Sequence, residues 1–309
     1  MNHEVIVVGG GPAGTSAATA LAARGVDVAL IDPLGFGGRL VNIDVLRDCP
    51  GPLDGTAGWD LAATLGEAAM TAGVVALFGQ AERVEAAGGR WRVTVDGDDH
   101  EATAVLLATG CRNRPVPGDE SGALVGRGVS YCAVCDAQLF ADRSVVVAGS
   151  GDWARAEVLT LAPLVASVVW VDPASAASTT STAMAGLDAC DNVRWLPHSE
   201  LIAVRVEDSV VRAVEVVQHG PAGGSRIVET AGVFGADATL PNSGPVAAIR
   251  TCDGDGFVHT DAALACPVRP GLYAAGDVRR GARRSVTTAM ADGIAAAAAI
   301  ADYVHDARR

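Results

Sequence analysis

The sequence predicts an α/β fold of two successive modules, and three observations predict it. Two glycine-rich loops, Gly9-Gly10-Gly11-Pro12-Ala13-Gly14 and Gly149-Ser150-Gly151-Asp152-Trp153-Ala154, each follow a short β-branched run and open a stretch of helical composition. An aspartate closes the next apolar run in both cases, and Asp172 follows Gly149 at the same interval at which Asp32 follows Gly9. The chain has 309 residues, 50% of them hydrophobic and 37 of them glycine, enough for about two domains of alternating strand and helix.

Glu4-Val5-Ile6-Val7-Val8 reads as the first strand, Ala13 to Arg24 as a helix packed on the sheet, and Val26 to Ile31 as the second strand. Asp32 then stands roughly 20 residues after the loop, where a dinucleotide-binding (Rossmann-like) fold places a carboxylate for ribose hydroxyls. The glycines have separate duties there: a tight turn, close approach of the backbone to a pyrophosphate, and close helix–strand packing, while the helix N-terminus favours the anion. Val105-Leu106-Leu107 runs into Ala108-Thr109-Gly110 as a buried strand ending in a turn, and Arg114-Pro115-Val116-Pro117-Gly118 reads as an extended linker. The second module repeats the order, with a strand from Ser144 to Ala148, a helix to about Leu161 that Pro163 helps to end, and a strand from Val168 to Val171. Thr239-Leu240-Pro241-Asn242 is a second linker. A strand ending at Tyr273-Ala274-Ala275 then reaches Gly276-Asp277, ahead of an alanine-rich helix from about Ser285 to Val304. If this last segment rejoins the first module, the fold is α/β with two dinucleotide-binding (Rossmann-like) domains, the second inserted in the first. Residues 1–114 and 242–309 would form one domain and 115–241 the other.

Composition excludes several function classes. The formal net charge of −13 disfavours nucleic acid as a partner, because phosphate neutralisation needs a basic surface. All 23 basic residues are arginine, which excludes lysine Schiff-base or general-base chemistry. Arg279, Arg280, Arg283 and Arg284 crowd one place and suit an acidic protein partner, a cofactor phosphate or a solvated loop. No basic and apolar leader precedes the first strand, and the run from Gly293 to Ala301 is too short for a membrane span. A soluble, cytoplasmic protein is expected.

Cys132-Ala133-Val134-Cys135-Asp136 lies between the two glycine loops. No second pair of cysteines or histidines has the spacing to complete a zinc site, so the C-x-x-C points to thiol–disulfide chemistry and no metal is expected. Seven cysteines, with only this pair suitably spaced, do not make a structural disulfide framework. Cys111, Cys190, Cys252 and Cys266 read as isolated thiols, and His3, His100, His198, His219, His259 and His305 are scattered without triad or metal spacing.

Taken together, these residues resemble the low-molecular-weight thioredoxin reductase family over nearly the whole chain. The matching pieces are the first glycine loop with Asp32, Gly37-Gly38-Arg39-Leu40, Pro50-Gly51, Ala108-Thr109-Gly110, Cys132 to Asp136, Gly149 to Ala154 and Ala275-Gly276-Asp277-Val278. The resemblance implies a homodimeric flavoenzyme in which the first module and the C-terminal segment bind FAD and the inserted module carries the dithiol. On that reading the FAD residues are Gly9, Gly11, Pro12, Ala13, Gly14, Asp32, Gly38, Arg39, Leu40, Asp48, Ala108, Thr109, Gly110, Gly276, Asp277, Arg284, Ser285 and Val286. The catalytic residues are Cys132, which would attack the substrate disulfide, Cys135, which would face the flavin, and Asp136, which would move the accompanying proton. A helix beginning at the C-x-x-C would lower a thiol pKa. The bland reading of Asp136 is a helix N-terminal charge.

The sequence departs from the family in three places. Typical NADPH-using members follow the last strand of the second module with a basic cluster, whereas this chain has Trp170-Val171-Asp172-Pro173-Ala174-Ser175-Ala176 and no basic residue between Arg155 and Arg194. NADPH is therefore disfavoured, and Asp172 would accept hydrogen bonds from an unphosphorylated ribose, which leaves NADH or ferredoxin as the donor. Trp153 stands where the family has a small residue, and it either closes the loop or packs away from it. Arg39 replaces a glutamine, and Asp48-Cys49 replaces an asparagine and an aromatic residue. A guanidinium at the isoalloxazine would raise the flavin potential. Ala137 replaces a glycine and slightly restricts the helix entry.

The expected activity is reduction of thioredoxin or a similar small disulfide protein. The alternatives are a flavin-dependent oxidase of a small-molecule dithiol with oxygen as acceptor, and a non-catalytic flavin redox sensor. The oxidases of this kind carry histidine after the second cysteine, and Asp136 here favours the reductase.

Overall fold

Val5, Ile6, Val7 and Val8 are all buried, which is why β1 (Asn2–Val8) lies inside a parallel sheet covered on both faces. In the computed structural model, which describes residues 2–43, 45–46, 53–174, 186–220, 223–236 and 239–309, β1 leads through the first glycine loop into α1 (Pro12–Ala22). Pro12 occupies the first turn, where its missing N–H costs nothing. The chain continues through β2 (Val28–Ile31), a 3₁₀ turn (Gly38–Asn42), α2 (Gly58–Thr71) and β3 (Val75–Leu77). An antiparallel pair, β4 (Ala81–Ala87) and β5 (Arg90–Val95), then leads into the long β6 (Asp98–Leu107) and β7 (Cys111–Asn113).

The second unit begins with β8 (Val129–Ser130), α3 (Ala133–Asp136) and a 3₁₀ turn (Ala137–Phe140). It continues through β9 (Ser144–Ala148), α4 (Gly151–Leu161), β10 (Ser167–Asp172), β11 (Val193–Pro197), β12 (Ser199–Glu207), β13 (Val210–Gln218), β14 (Gly224–Glu229) and β15 (Gly232–Gly235). Its parallel sheet has the order β11-β10-β9-β15-β8, beside an antiparallel sheet β12-β13-β14. Trp170 is fully buried at the centre and donates its indole N–H to the Gly149 carbonyl at 2.8 Å, so the core itself pins the second glycine loop.

After β16 (Thr239–Pro241), which pairs with β7, the chain returns to the first sheet as β17 (Leu272–Ala274) and ends in a helix spanning Val286–Ala307. The first half of β6 pairs antiparallel with β5, and its second half pairs parallel with β17, so one strand carries both the meander and the nucleotide-fold sheet β3-β2-β1-β6. The C-terminal helix starts in a reciprocal capping box, Ser285 with Thr288. It packs closely on α1, because a Cβ on Gly293 would lie 2.1 Å from the Ala13 carbonyl oxygen.

The chain divides into Met1–Arg112 with Leu240–Arg309, and Asn113–Thr239. The α/β class, with a second module inserted in the first, is the one the sequence predicts. The helices predicted at 13–24 and 285–304 form at Pro12–Ala22 and Val286–Ala307. What the sequence reading lacked is the antiparallel part of each unit, β4–β5 and β12–β14.

Candidate functional site

Cys132 and Cys135 form a disulfide with Cα atoms 5.4 Å apart. Cys132 caps α3, and its Sγ accepts the Cys135 backbone N–H at 3.2 Å. The helix on which the sequence reading relied is one turn of four residues followed by a 3₁₀ turn, so its dipole is small and the local N–H is the polarising group. Cys135 is exposed and Cys132 half-buried, beside the exposed apolar side chains of Val134 and Leu139.

Asp136 is held for more than a generic terminal charge. Its Oδ2 accepts the Ser130 hydroxyl at 2.7 Å, and the same Ser130 Oγ accepts the Cys132 N–H at 3.1 Å. Ser130 is 2% exposed and ties the carboxylate to the backbone of the dithiol. Glu157 is also drawn in: from α4, its Oε2 accepts the Ala133 N–H at 2.6 Å. Burial pushes the Glu157 carboxyl up to about 7 against the pull of that N–H. The sequence reading missed both residues. Ser130, two positions before the C-x-x-C, was within reach of local inspection, but no local pattern pointed to Glu157.

In the first unit the predicted residues converge. Gly9 has φ +109°, and a Cβ there would lie 2.4 Å from the Ala108 oxygen, which places Ala108 directly against the loop. Gly14 permits close helix–strand packing, since its Cβ would lie 1.9 Å from the Gly9 oxygen. A Cβ on Gly11 would meet nothing within 4 Å, so space opens at the α1 N-terminus, which carries neither an acidic residue in its first turn nor a side-chain cap. Asp32 is half-buried and held by two backbone N–H groups, from Gly10 to Oδ2 and from Leu34 to Oδ1, both at 2.8 Å. Gly38 approaches Gly11, and Gly276, with φ +73°, approaches Ala13. Thr109 and Asn242 exchange side-chain hydrogen bonds with each other's carbonyls at 2.8 and 3.0 Å beside Gly110. Burial raises the Asp277 carboxyl, while the charges of the Arg39 and Arg284 guanidiniums oppose this. This open, donor-lined loop fits a dinucleotide pyrophosphate, with Asp32 available for a ribose.

Three predicted positions contribute something other than a free side chain. Leu40 is 1% exposed and packs with Leu46, Leu61 and Ala62, with Val286 against the same cluster. The Ser285 hydroxyl is taken up by the capping box. Asp48, Cys49, Pro50 and Gly51 lie outside the described residues.

The second loop differs. Asp172 is 1% exposed, and its Oδ1 accepts the Ser150 hydroxyl at 2.6 Å and the Ala174 N–H at 2.9 Å, while its Oδ2 accepts the Trp195 indole N–H at 3.2 Å. Ser150 and Trp195 thus supply from within the protein donors of the kind that ribose hydroxyls would supply. Asp152 places a negative charge in the first turn of α4, where an incoming phosphate would sit. Trp153, in the same turn, is 46% exposed.

The arginine knot is also not four free charges. Arg279 makes a two-pronged ion pair with Asp292 at 2.6 and 2.8 Å, Arg280 lies 3.8 Å from Asp253, and Arg284 stacks over Phe257 at 5.0 Å. Burial pushes the Cys252 thiol up, and the Cys266 thiol up to about 11, which suits packing rather than reactivity. Among the described residues no cluster could hold a metal ion, and no helix is long and apolar enough to cross a membrane.

Comparison with known proteins agrees with this geometry. Residues 3–293 match the pyridine nucleotide-disulphide oxidoreductase family. The thioredoxin reductase of Treponema pallidum is 30% identical over 311 residues, covering 98% of this chain and 97% of its own length. That of Bacillus subtilis is 30% identical over 307 residues, covering 98% and 95%. Among solved structures, Lactococcus lactis thioredoxin reductase superposes with a TM-score of 0.90 at 25% identity, over 98% of this chain and 99% of that one.

Proposed function

We propose that this chain, which belongs to the pyridine nucleotide-disulphide oxidoreductase family, reduces the disulfide of thioredoxin or a similar small protein through Cys132 and Cys135. It is a flavin-dependent disulfide oxidoreductase of the thioredoxin-reductase-like kind. The observation that carries the substrate reading is an accessible disulfide with a carboxylate tied to its backbone through Ser130. FAD, held by the first unit, would supply the two-electron reducing chemistry that the Cys132–Cys135 disulfide requires.

The chain's own residues account for the rest. The loop Gly9, Gly11, Pro12, Ala13 and Gly14 would receive the FAD pyrophosphate and Asp32 a ribose, with Asp277, Arg39 and Arg284 as further residues that would hold the group. The reduced Cys132 thiolate attacks the partner disulfide, forming a mixed disulfide and releasing one partner thiolate. Cys135 then attacks Cys132, re-forming the internal disulfide and releasing the second partner thiolate. Asp136, hydrogen-bonded to Ser130, holds and passes the proton that one of these thiolates takes up. A dithiol at work fits a reducing, cytoplasmic compartment.

We infer the electron donor from the surroundings of Asp172. This carboxylate is buried and already accepts from Ser150, Ala174 and Trp195, which disfavours a nicotinamide nucleotide ribose there and favours a donor protein such as ferredoxin. Anaerobic titration of the FAD-loaded protein with NADH, NADPH and reduced ferredoxin, read as bleaching of the flavin absorbance, tests this. Bleaching by ferredoxin alone is expected, and rapid bleaching by either nicotinamide nucleotide overturns the donor assignment. A homodimer is expected to form over the exposed apolar face of Leu34, Val41, Trp59 and Phe78, which borders a groove of about 490 Å³ in the first unit.

A further inference from the structure

Glu157 has no part in the reaction as written above. It is 6% exposed on α4, and it reaches the dithiol through one short hydrogen bond, from the Ala133 N–H to Oε2 at 2.6 Å. Ala133 follows Cys132 directly, and its N–H is one of the first-turn donors that a helix leaves without an internal partner. The amide nitrogen is only a few covalent bonds from the Cys132 Sγ, so carboxyl and sulfur are neighbours on the order of 7 Å apart. Among the described residues Glu157 is the buried acid that bonds to the dithiol turn, whereas Asp136, on the turn itself, is partly exposed.

The groups facing this carboxyl are few. The turn contributes Cys132, Cys135 and Asp136. Of the strands beneath α4, β9 has no titratable residue and β10 has Asp172, already bonded to Ser150, Ala174 and Trp195. Along α4 itself stand Asp152 and Arg155, 3.8 Å from each other. Burial pushes the Glu157 carboxyl up to about 7, which brings its titration into the range where a dithiol works.

Charge at the turn changes with redox state. In the disulfide both sulfurs are neutral. Two electrons break the S–S bond and leave two thiolates, which require one proton to become a thiol–thiolate pair and two to become a dithiol. A thiolate beside an ionised buried carboxylate is a like-charge pair, and each disfavours ionisation of the other.

Building on the proposed disulfide chemistry, we propose that Glu157 is a positioning residue that also holds a proton for the dithiol. Ionised or neutral, it anchors the Ala133 N–H through a carboxyl oxygen. It takes up a proton when the Cys132–Cys135 bond is reduced and gives it up when that bond re-forms.

The test uses the full chain and dithiothreitol as the two-electron reductant, so it requires neither donor nor partner. The fraction of Cys132–Cys135 reduced is measured by alkylation and mass spectrometry across dithiothreitol redox buffers between about pH 5.5 and 8.5. Ultraviolet thiolate absorbance of the reduced protein is followed in parallel. Glu157→Gln keeps an oxygen for the Ala133 N–H and removes the titration. It is expected to lose the inflection near neutrality and to raise the thiolate fraction at pH 7 by about tenfold. Identical pH profiles for the two proteins overturn the proposal, because a purely structural anchor predicts no change. Should Glu157→Gln not fold, protons taken up per disulfide reduced are counted with wild-type protein in a pH-stat. A count that falls across pH 6–8 with no inflection beyond those of the two thiols also overturns it. Failure of the proposed function shows separately, as no turnover of thioredoxin by a protein whose dithiol titrates normally.

Discussion

The two glycine loops share a strand–loop–helix order and the same interval to an aspartate, yet the two aspartates are held in different ways. Asp32 is fixed by two backbone N–H groups and remains half-exposed. Asp172 is fixed by one backbone N–H, a serine hydroxyl and an indole N–H, and is shut off from solvent. An ionised carboxylate offers about four acceptor positions, and burial with three donors leaves none within reach of a ligand. The helix starts differ in the same sense: α1 has no acid in its first turn, and α4 has Asp152. The spacing of such a motif is set by the path of the backbone. Whether it binds is set by the side chains that reach the carboxylate first.

Four experiments would break or sharpen this contrast. The largest effect is expected at the dithiol that the second module carries: Cys132→Ser or Cys135→Ser should lower partner-disulfide reduction by roughly 10³-fold or more, with flavin content unchanged. Retained activity would detach the second unit from the chemistry.

Next come the two aspartates. Asp32→Ala should lower FAD affinity by about tenfold or more, measured as flavin retained on desalting, with little change in stability. Asp172→Ala should leave flavin binding unchanged and destabilise the protein by about 2–4 kcal/mol in urea, because Ser150 and Trp195 lose their acceptor. If both variants behave alike, the asymmetry is wrong.

Glu157 sets a third test, on stability against pH. Its folded-state pKa is raised from 4.5 to about 7, so its contribution is intact below about pH 4.5 and is lost as pH rises through 7. Glu157→Gln should therefore gain on wild type as pH rises across that window, by roughly 3 kcal/mol at most. A constant difference in midpoint from pH 4 to 8 would refute this.

The smallest effects belong to the arginines. Arg279→Ala should cost about 1–3 kcal/mol because Asp292 is left partly buried without its partner, whereas Arg283→Ala should stay within about 0.5 kcal/mol. Arg283→Ala should also weaken partner-dependent turnover only at low salt.

The sequence by itself determined the modular fold and the dithiol, because each is written in local spacing. β-branched runs, glycines that tolerate positive φ, Pro12 at a helix start and the Ser285–Thr288 box all act within a few residues of one another. The antiparallel strands β12–β14 were passed over because strands of alternating pattern sit on a solvated surface, as the exposed alternate residues of β14 show. Only the tertiary structure decided which partner each charged group meets. Glu157 meets Ala133, Trp195 meets Asp172 and Arg279 meets Asp292 across 24, 23 and 13 positions of sequence. A hydrogen bond depends on distance in space, and the folded core, not the interval along the chain, sets that distance.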